Sequence, residues 1–452
     1  MYLTFMGATG TVTGSKYLLE DEGYKLMIDC GLFQGLKELR ERNWSGLPIN
    51  PADVDDMILT HAHIDHSGYI PKFIKQGFKG KVYASLATTE LCDILLPDSG
   101  NIQEEDARRA NKYGYSRHHP AEPLYTMEEA WEAMEAFKPV AFGQKYALND
   151  MLNFSFSRAG HILGAGSVRI DDGSTSIVFS GDIGRMNDPM MVKPVGHQEA
   201  DYLVLESTYG DRDHDPEDPS IKLAEIINRT VARGGVVLIP AFAVGRAQTL
   251  LYYLHQLKEA NAIPDVPIFL DSPMAIDATQ LWKKHHVDHR LSEKQCDEIF
   301  KIAKYMRTPE QSKSLNEMNN MPRIIISASG MAEGGRVLHH MKNYCGDPKN
   351  TMLFAGFQAA GTRGANLTSG DTEVKIHGFT FPVRAEVDNL SGLSAHADRN
   401  EILKWLSSFT KPPRKVFLTH GEPEAALGLK AAIEERYGWN VVIPEYLQKE
   451  EL

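Results

Sequence analysis

A chain of 452 residues is too long for one simple core and calls for two domains or more. Apolar (42%) and charged (24%) contents are those of an ordinary globular protein, and nothing approaches the roughly 20 apolar residues in a row of a membrane span. Four scattered cysteines without a CxxC pair fit reduced cytoplasmic thiols better than a disulfide framework, while a net charge of −12 argues mildly against a nucleic-acid partner, although bound cations would offset it locally.

Residues 1–7 lack the basic start and cleavage site of a signal peptide and read as a first strand. Short strands follow at 25–29, 81–84, 152–156, 176–180 and 201–205. Between them the pattern predicts a helix over 87–113 and another opening at the capping box Thr126/Glu129. The densest chemistry lies at 61–66, an HxHxDH run of His61, His63, Asp65 and His66 directly after the apolar segment 57–59. A short amphipathic helix over 69–74, closed by Gly77, comes next. A hydrolytic metal centre needs this ligand density, because Zn²⁺ takes about four ligands from His, Cys, Asp or Glu. Two ions about 4 Å apart can share one nucleophile. Cys30, beside Asp29, reads as a small buried side chain rather than a ligand.

The acidic, proline-punctuated loop 211–219 reads as a domain seam. Beyond it, strands at 236–239, 267–270, 323–327 and 351–354 alternate with helices at 245–258, 275–284 and from 335, a rhythm that predicts a parallel sheet flanked by helices. Near 385 the chain returns to the first domain with a loop carrying His396 and a strand over 415–418 that runs into His420. The expected organisation is therefore 1–208 and 385–452 as one domain, with 209–384 inserted.

His161, Asp182 and His420 each follow a predicted strand through a tight turn, as the HxHxDH run does. Such turns can converge at one sheet edge. Ser329, Gly330 and Arg336 lie between a strand and a helix N-terminus, as does Arg246 after 240–245, and free N–H groups there can hold phosphates. His285, His286, His289, His339 and His340 read as packing or surface residues.

With HxHxDH, a lone His161 and the Gly-Asp of Asp182, the chain resembles the metallo-β-lactamase superfamily. Glu206 in Leu205-Glu206-Ser207-Thr208-Tyr209-Gly210, His396 in Ser394-Ala395-His396-Ala397-Asp398, and His420 resemble the three further motifs of its β-CASP nucleases. His420 matches the third motif in the form of the RNA-cleaving members, where DNA-directed relatives carry Val.

The resemblance implies an α/β fold: a metallo-β-lactamase αββα sandwich with an inserted β-CASP domain. It implies two Zn²⁺ per chain, one held by His61, His63 and His161, the other by Asp65, His66 and His420, with Asp182 bridging and Asp29 orienting a ligand. Asp65, His396 and Glu206 would be catalytic, with Glu206 orienting His396 as general acid. A metal-bridging hydroxide would cut single-stranded RNA in a cleft between the domains, leaving 3′-hydroxyl and 5′-phosphate ends. A homodimer is consistent with such enzymes. Archaeal members carry a preceding KH-like region that is absent ahead of the first strand here, so RNA capture would rest on the cleft itself. The rival readings are a small-molecule (thioester or lactone) metallo-hydrolase, which would need no insertion and no Glu206/His396 pair, a DNA-directed β-CASP nuclease, and an RNA-holding scaffold, which would have lost ligands.

Overall fold

Side chains that alternate between two covered faces build two seven-stranded sheets that face each other in the first unit of the chain. One sheet runs Lys449–Glu451, Tyr2–Phe5, Lys16–Asp21, Tyr24–Cys30, Asp56–Ile58, Val82–Ser85 and Phe137–Val140 in spatial order. The other runs Val441–Val442, Lys415–Thr419, Tyr202–Glu206, Ser176–Phe179, Gly166–Asp171, Asn153–Arg158 and Lys145–Ala147. Leu3, Phe5, Leu26 and Ile28 from the first sheet interleave with Phe154, Phe156, Ile177, Phe179 and Phe417 from the second. The opposite faces take helices: Val178, Leu203, Leu205 and Leu418 pack under Ile402, Trp405, Leu406, Leu429 and Ile433. This is an αββα sandwich.

The structure, a computed structural model, describes residues 1–116, 118–318 and 321–452. It divides into Met1–Asp213 with His396–Leu452, and His214–Ala395. The helix Leu86–Tyr113 spans 28 residues from a Ser85 cap, whose side chain accepts from Thr88 N, to Gly114 in the left-handed region. The Thr126/Glu129 capping box is formed.

The second unit holds a six-stranded, wholly parallel sheet in the order Ala303–Tyr305, Ile268–Leu270, Arg323–Ser327, Val236–Pro240, Thr351–Phe354, Glu386–Asn389. The continuous apolar runs Val236–Pro240 and Arg323–Ser327 are buried along their whole length, as strands covered on both faces must be. Two features depart from the sequence reading. A hairpin, Glu373–Ile376 with Phe379–Pro382, stands beside the sheet. Glu386–Asn389 pairs with Thr351–Phe354, so 385–395 lies with the second unit and the chain returns at His396, not at 385. That edge strand is too polar to read as one. Its Glu386 and Asp388 are paired with Arg229, and Glu386 also with Arg233 at 2.7 Å. Among the described residues no helix is long and apolar enough to cross a membrane.

Candidate metal centre

Every candidate ligand sits at the carboxyl end of a strand or on the turn that follows it. His61 and His63 follow Asp56–Ile58, His161 follows Asn153–Arg158, Asp182 follows Ser176–Phe179, and His420 follows Lys415–Thr419. Asp65 and His66 lie on the single helical turn Ile64–Ser67. The turn before Asp182 requires glycine: Gly181 has φ +56°, and a Cβ there would lie 2.9 Å from Thr60 Cβ.

Two groups of ligand atoms result, His61, His63, His161 with Asp182, and Asp65, His66, His420. His63 Nδ1 lies 3.2 Å from both His61 Nε2 and His161 Nε2. Asp182 Oδ2 lies 3.3 Å from His61 Nε2 and 3.5 Å from His161 Nε2, while Oδ1 lies 3.3 Å from His66 Nε2. Asp65 Oδ2 is 3.2 Å from His420 Nε2 and 3.8 Å from His66 Nε2.

Neighbouring hydroxyls and one carboxylate set which nitrogen faces inward. Asp29 Oδ2 accepts from His66 Nδ1–H at 2.7 Å and from Thr60 Oγ1 at 2.9 Å, and its Oδ1 accepts from Thr60 N at 2.7 Å. Because the Thr60 hydroxyl spends its proton on Asp29, it accepts from His61 Nδ1–H at 3.1 Å. Thr208 Oγ1 donates to His420 O and so accepts from His420 Nδ1–H at 3.0 Å. His61, His66 and His420 thereby turn Nε2 toward the acids, the orientation usual for metal-ligating imidazoles. Thr60 and Thr208 escape a reading of the sequence, although each lies within two residues of a motif residue.

The electrostatics follow from burial. Desolvation, helped by the charge on His66, lowers His61 to about 3, and desolvation lowers His63 to about 4. Burial and the nearby His396 push His161 well down. Burial thus favours the neutral ring at all three. Burial opposes ionisation of Asp182, yet the charges of His420 and His66 hold it well below the usual carboxylate range. Asp65 is lowered against burial by its His420 hydrogen bond. Against the same penalty, Asp182 and Asp29 raise His66 well above its ordinary value.

These residues fit a metal. Among the described residues, Asp182 Oδ1 is buried without a hydrogen-bond partner. Three imidazole nitrogens, His61 Nε2, His63 Nδ1 and His161 Nε2, converge around 3.2 Å contacts, a donor set of the kind Zn²⁺ takes. Zn–N bonds of about 2.0–2.1 Å in a tetrahedral shell put ligand atoms about 3.4 Å apart, the spacing found here.

Beside this cluster, His396 Nδ1 lies 3.1 Å from Glu206 Oε2 and 3.9 Å from Asp182 Oδ2. Burial opposes its protonation, but Glu206 and Asp182 raise it to about 9. Glu206 is itself fixed by Ile183 N, which donates to Oε1 at 2.6 Å.

The phosphate candidates divide. Arg336 is spent internally: Nη1 donates to Asp271 Oδ1 and Met306 O, and Nη2 to Arg307 O, at 2.7–2.8 Å. Its partner Asp271 is fully buried and also accepts from His340 Nε2 at 2.6 Å and Ser312 Oγ at 2.5 Å. This network corrects the expectation for Arg336, and it makes His340 a buried hydrogen-bond partner of Asp271 rather than a simple packing residue. Ser329 Oγ accepts from Glu333 N at 3.1 Å, Gly330 packs on Phe242, and Arg246 is buried beside Gly356.

Three family descriptions match the chain: metallo-beta-lactamase superfamily over residues 9–226, Beta-Casp domain over 247–367, and Zn-dependent metallo-hydrolase RNA specificity domain over 380–444. The chain is 36% identical to Ribonuclease TTHA0252 of Thermus thermophilus, covering 95% of each. It is 31% identical to Transcription termination factor FttA of Pyrococcus abyssi over 87% of this chain but 61% of that longer protein. A solved protein of unknown function from Enterococcus faecalis shares the fold at a TM-score of 0.54 and 13% identity, covering 100% of this chain and 99% of that one. The chain belongs to the β-CASP family of the metallo-β-lactamase superfamily and is a metal-dependent hydrolase.

Proposed function

We propose that this protein is a zinc-dependent ribonuclease that hydrolyses phosphodiester bonds of single-stranded RNA and leaves 3′-hydroxyl and 5′-phosphate ends, working in the cytoplasm. The observation that carries the reading is the convergent set of His61, His63, His161, Asp65, His66, His420 and Asp182, all buried except the half-buried His63 and Asp65, with a Glu206-bound His396 at its side. Two zinc ions per chain, when bound, would ionise a water near neutral pH and offset charge on the phosphate.

The protein's own groups supply the rest. Asp182 has a carboxylate oxygen toward each ligand group. Asp29, Thr60 and Thr208 fix the imidazole orientations. Glu206 occupies Nδ1 of His396 and keeps the ring charged, so Nε2–H is the proton donor. As the P–O3′ bond breaks, that proton passes to the departing 3′-oxygen. Ser329, Gly330 and Arg246 are proposed to hold flanking phosphates. The residues at 1–213 with 396–452 and at 214–395 act as metal and β-CASP domains, respectively.

RNA as the substrate draws on the ribonuclease named among the relatives and on the RNA specificity domain match. His420 at the third motif favours it over DNA.

The test incubates purified protein with end-labelled single-stranded RNA, matching DNA and a thioester, with and without a chelator, beside His396→Ala. RNA cutting that the chelator abolishes and the variant loses is expected. Chelator-insensitive cutting, or intact RNA with rapid thioester turnover, overturns the reading.

A further inference from the structure

Three loops of the site are laced together at one glycine. Gly184 N donates to Ala159 O at 2.8 Å, Gly184 forms an isolated antiparallel bridge with His396, and a Cβ on it would lie 1.9 Å from Gly160 O. Ala397 N donates to Ile183 O at 2.7 Å. The backbones that carry His161, Asp182 and His396 are thus in direct contact.

One carboxylate closes this arrangement from the far side. Glu401, in the first turn of the helix Arg399–Leu406, forms a capping box with Asp398: Asp398 Oδ1 accepts from Glu401 N at 2.8 Å, and Glu401 Oε2 accepts from Asp398 N at 3.1 Å. A capping box needs no more than that. Here Oε2 also accepts from Arg185 Nε at 2.9 Å and Oε1 from Met186 N at 2.8 Å. Both side chains are largely withdrawn from solvent, Arg185 at 14% exposure and Glu401 at 13%. Helix capping does not account for the two extra donors. They tie the segment just after Asp182 to the one just after His396.

The geometry points to Arg185 and Glu401 as positioning residues that hold His396 against Glu206 and Asp182. The inference rests on the reading of His396 as the proton donor to the leaving oxygen. Proton transfer to a departing alkoxide is sensitive to placement, and an error of about 1 Å costs about 100-fold. Largely withdrawn from solvent and bound on both oxygens, the Glu401 carboxylate is a stiff anchor for that placement.

A leaving-group comparison tests it. A short RNA is compared with an identical RNA carrying a 3′-bridging sulfur at the cut, whose thiolate departs without a proton. Glu401→Gln and Arg185→Met are expected to lower kcat on ordinary RNA by about 10- to 100-fold with KM changed less than about twofold. Both are expected to cut the sulfur substrate within about threefold of the parent, keep its metal content, and exchange the Ala397 amide at least about tenfold faster. If both variants cut the two substrates with the parental ratio, or lose both activities together with metal, the clamp is overturned. If His396→Ala itself loses both substrates equally, the proton-donor reading falls instead. A parent that cuts neither substrate removes the ground for both.

Discussion

Replacing Asp29 by Asn isolates how a single buried carboxylate orients the imidazole of His66, a proposed metal ligand. Asp29 has φ +55°, a conformation Asn also adopts readily, so the backbone has no reason to move. The carboxylate offers acceptors to three donors: His66 Nδ1–H, Thr60 N and Thr60 Oγ1. The amide can satisfy only one side. With its oxygen toward Thr60 N, its NH₂ faces His66 Nδ1, and the imidazole must move its proton to Nε2 and block the nitrogen aimed at Asp182. A lost charge-assisted bond is worth about 1.5–3 kcal/mol. Loss of such an outer partner weakens metal binding by about 10- to 100-fold, or about 1.4–2.7 kcal/mol, the same range. Competition against a chromophoric zinc chelator reads this directly. The site built on Asp65, His66 and His420 weakens by that factor, while the one built on His61, His63 and His161 keeps its affinity. Parental affinity at both, with the fold intact, refutes the reasoning.

Three further outcomes follow from groups away from the ligands. His197, hydrogen-bonded to Ser167 Oγ at 2.8 Å, is lowered by burial and by Arg169 from 6.5 to about 4. The folded state therefore favours the neutral ring: its contribution is full above pH 6.5 and is lost as pH falls toward 4, up to about 3 kcal/mol. Denaturant midpoints of the parent should fall relative to His197→Gln over that window, and parallel curves would contradict the assignment. Lys16 is buried, donates to Gly31 O, and is lowered by desolvation from 10.5 to about 8. The penalty is whole below pH 8 and is relieved up to 10.5, so any advantage of Lys16→Met at pH 7 shrinks by about 3 kcal/mol across that range; a pH-independent difference in unfolding free energy sinks the claim. Asp271→Asn leaves Arg336 and His340 without their buried anion and should cost about 3–5 kcal/mol, seen as an earlier melt with unchanged zinc content.

The ligand cluster is legible in the sequence because its members are either adjacent, as in the HxHxDH run, or repeat one pattern of strand, turn and ligand-type residue, as His161, Asp182 and His420 do. Buried parallel strands such as Arg323–Ser327 are legible from their apolar runs. What escaped depends on partners remote in the chain. Arg336 reads as a free cation until Asp271, 65 positions away, is seen to hold it. Glu386–Asn389 hides as a strand because its carboxylates are neutralised by Arg229 and Arg233 on a preceding helix and turn. The roles of Thr60 and Thr208 depend on where a hydroxyl proton points, which no spacing rule reports.

Metal stoichiometry by plasma mass spectrometry on zinc-replete protein tests the central claim most directly. Two zinc ions per parent chain are expected, with one retained in His161→Ala and one in His420→Ala. A folded parent with no bound zinc, or variants that keep the full parental complement, would contradict the account.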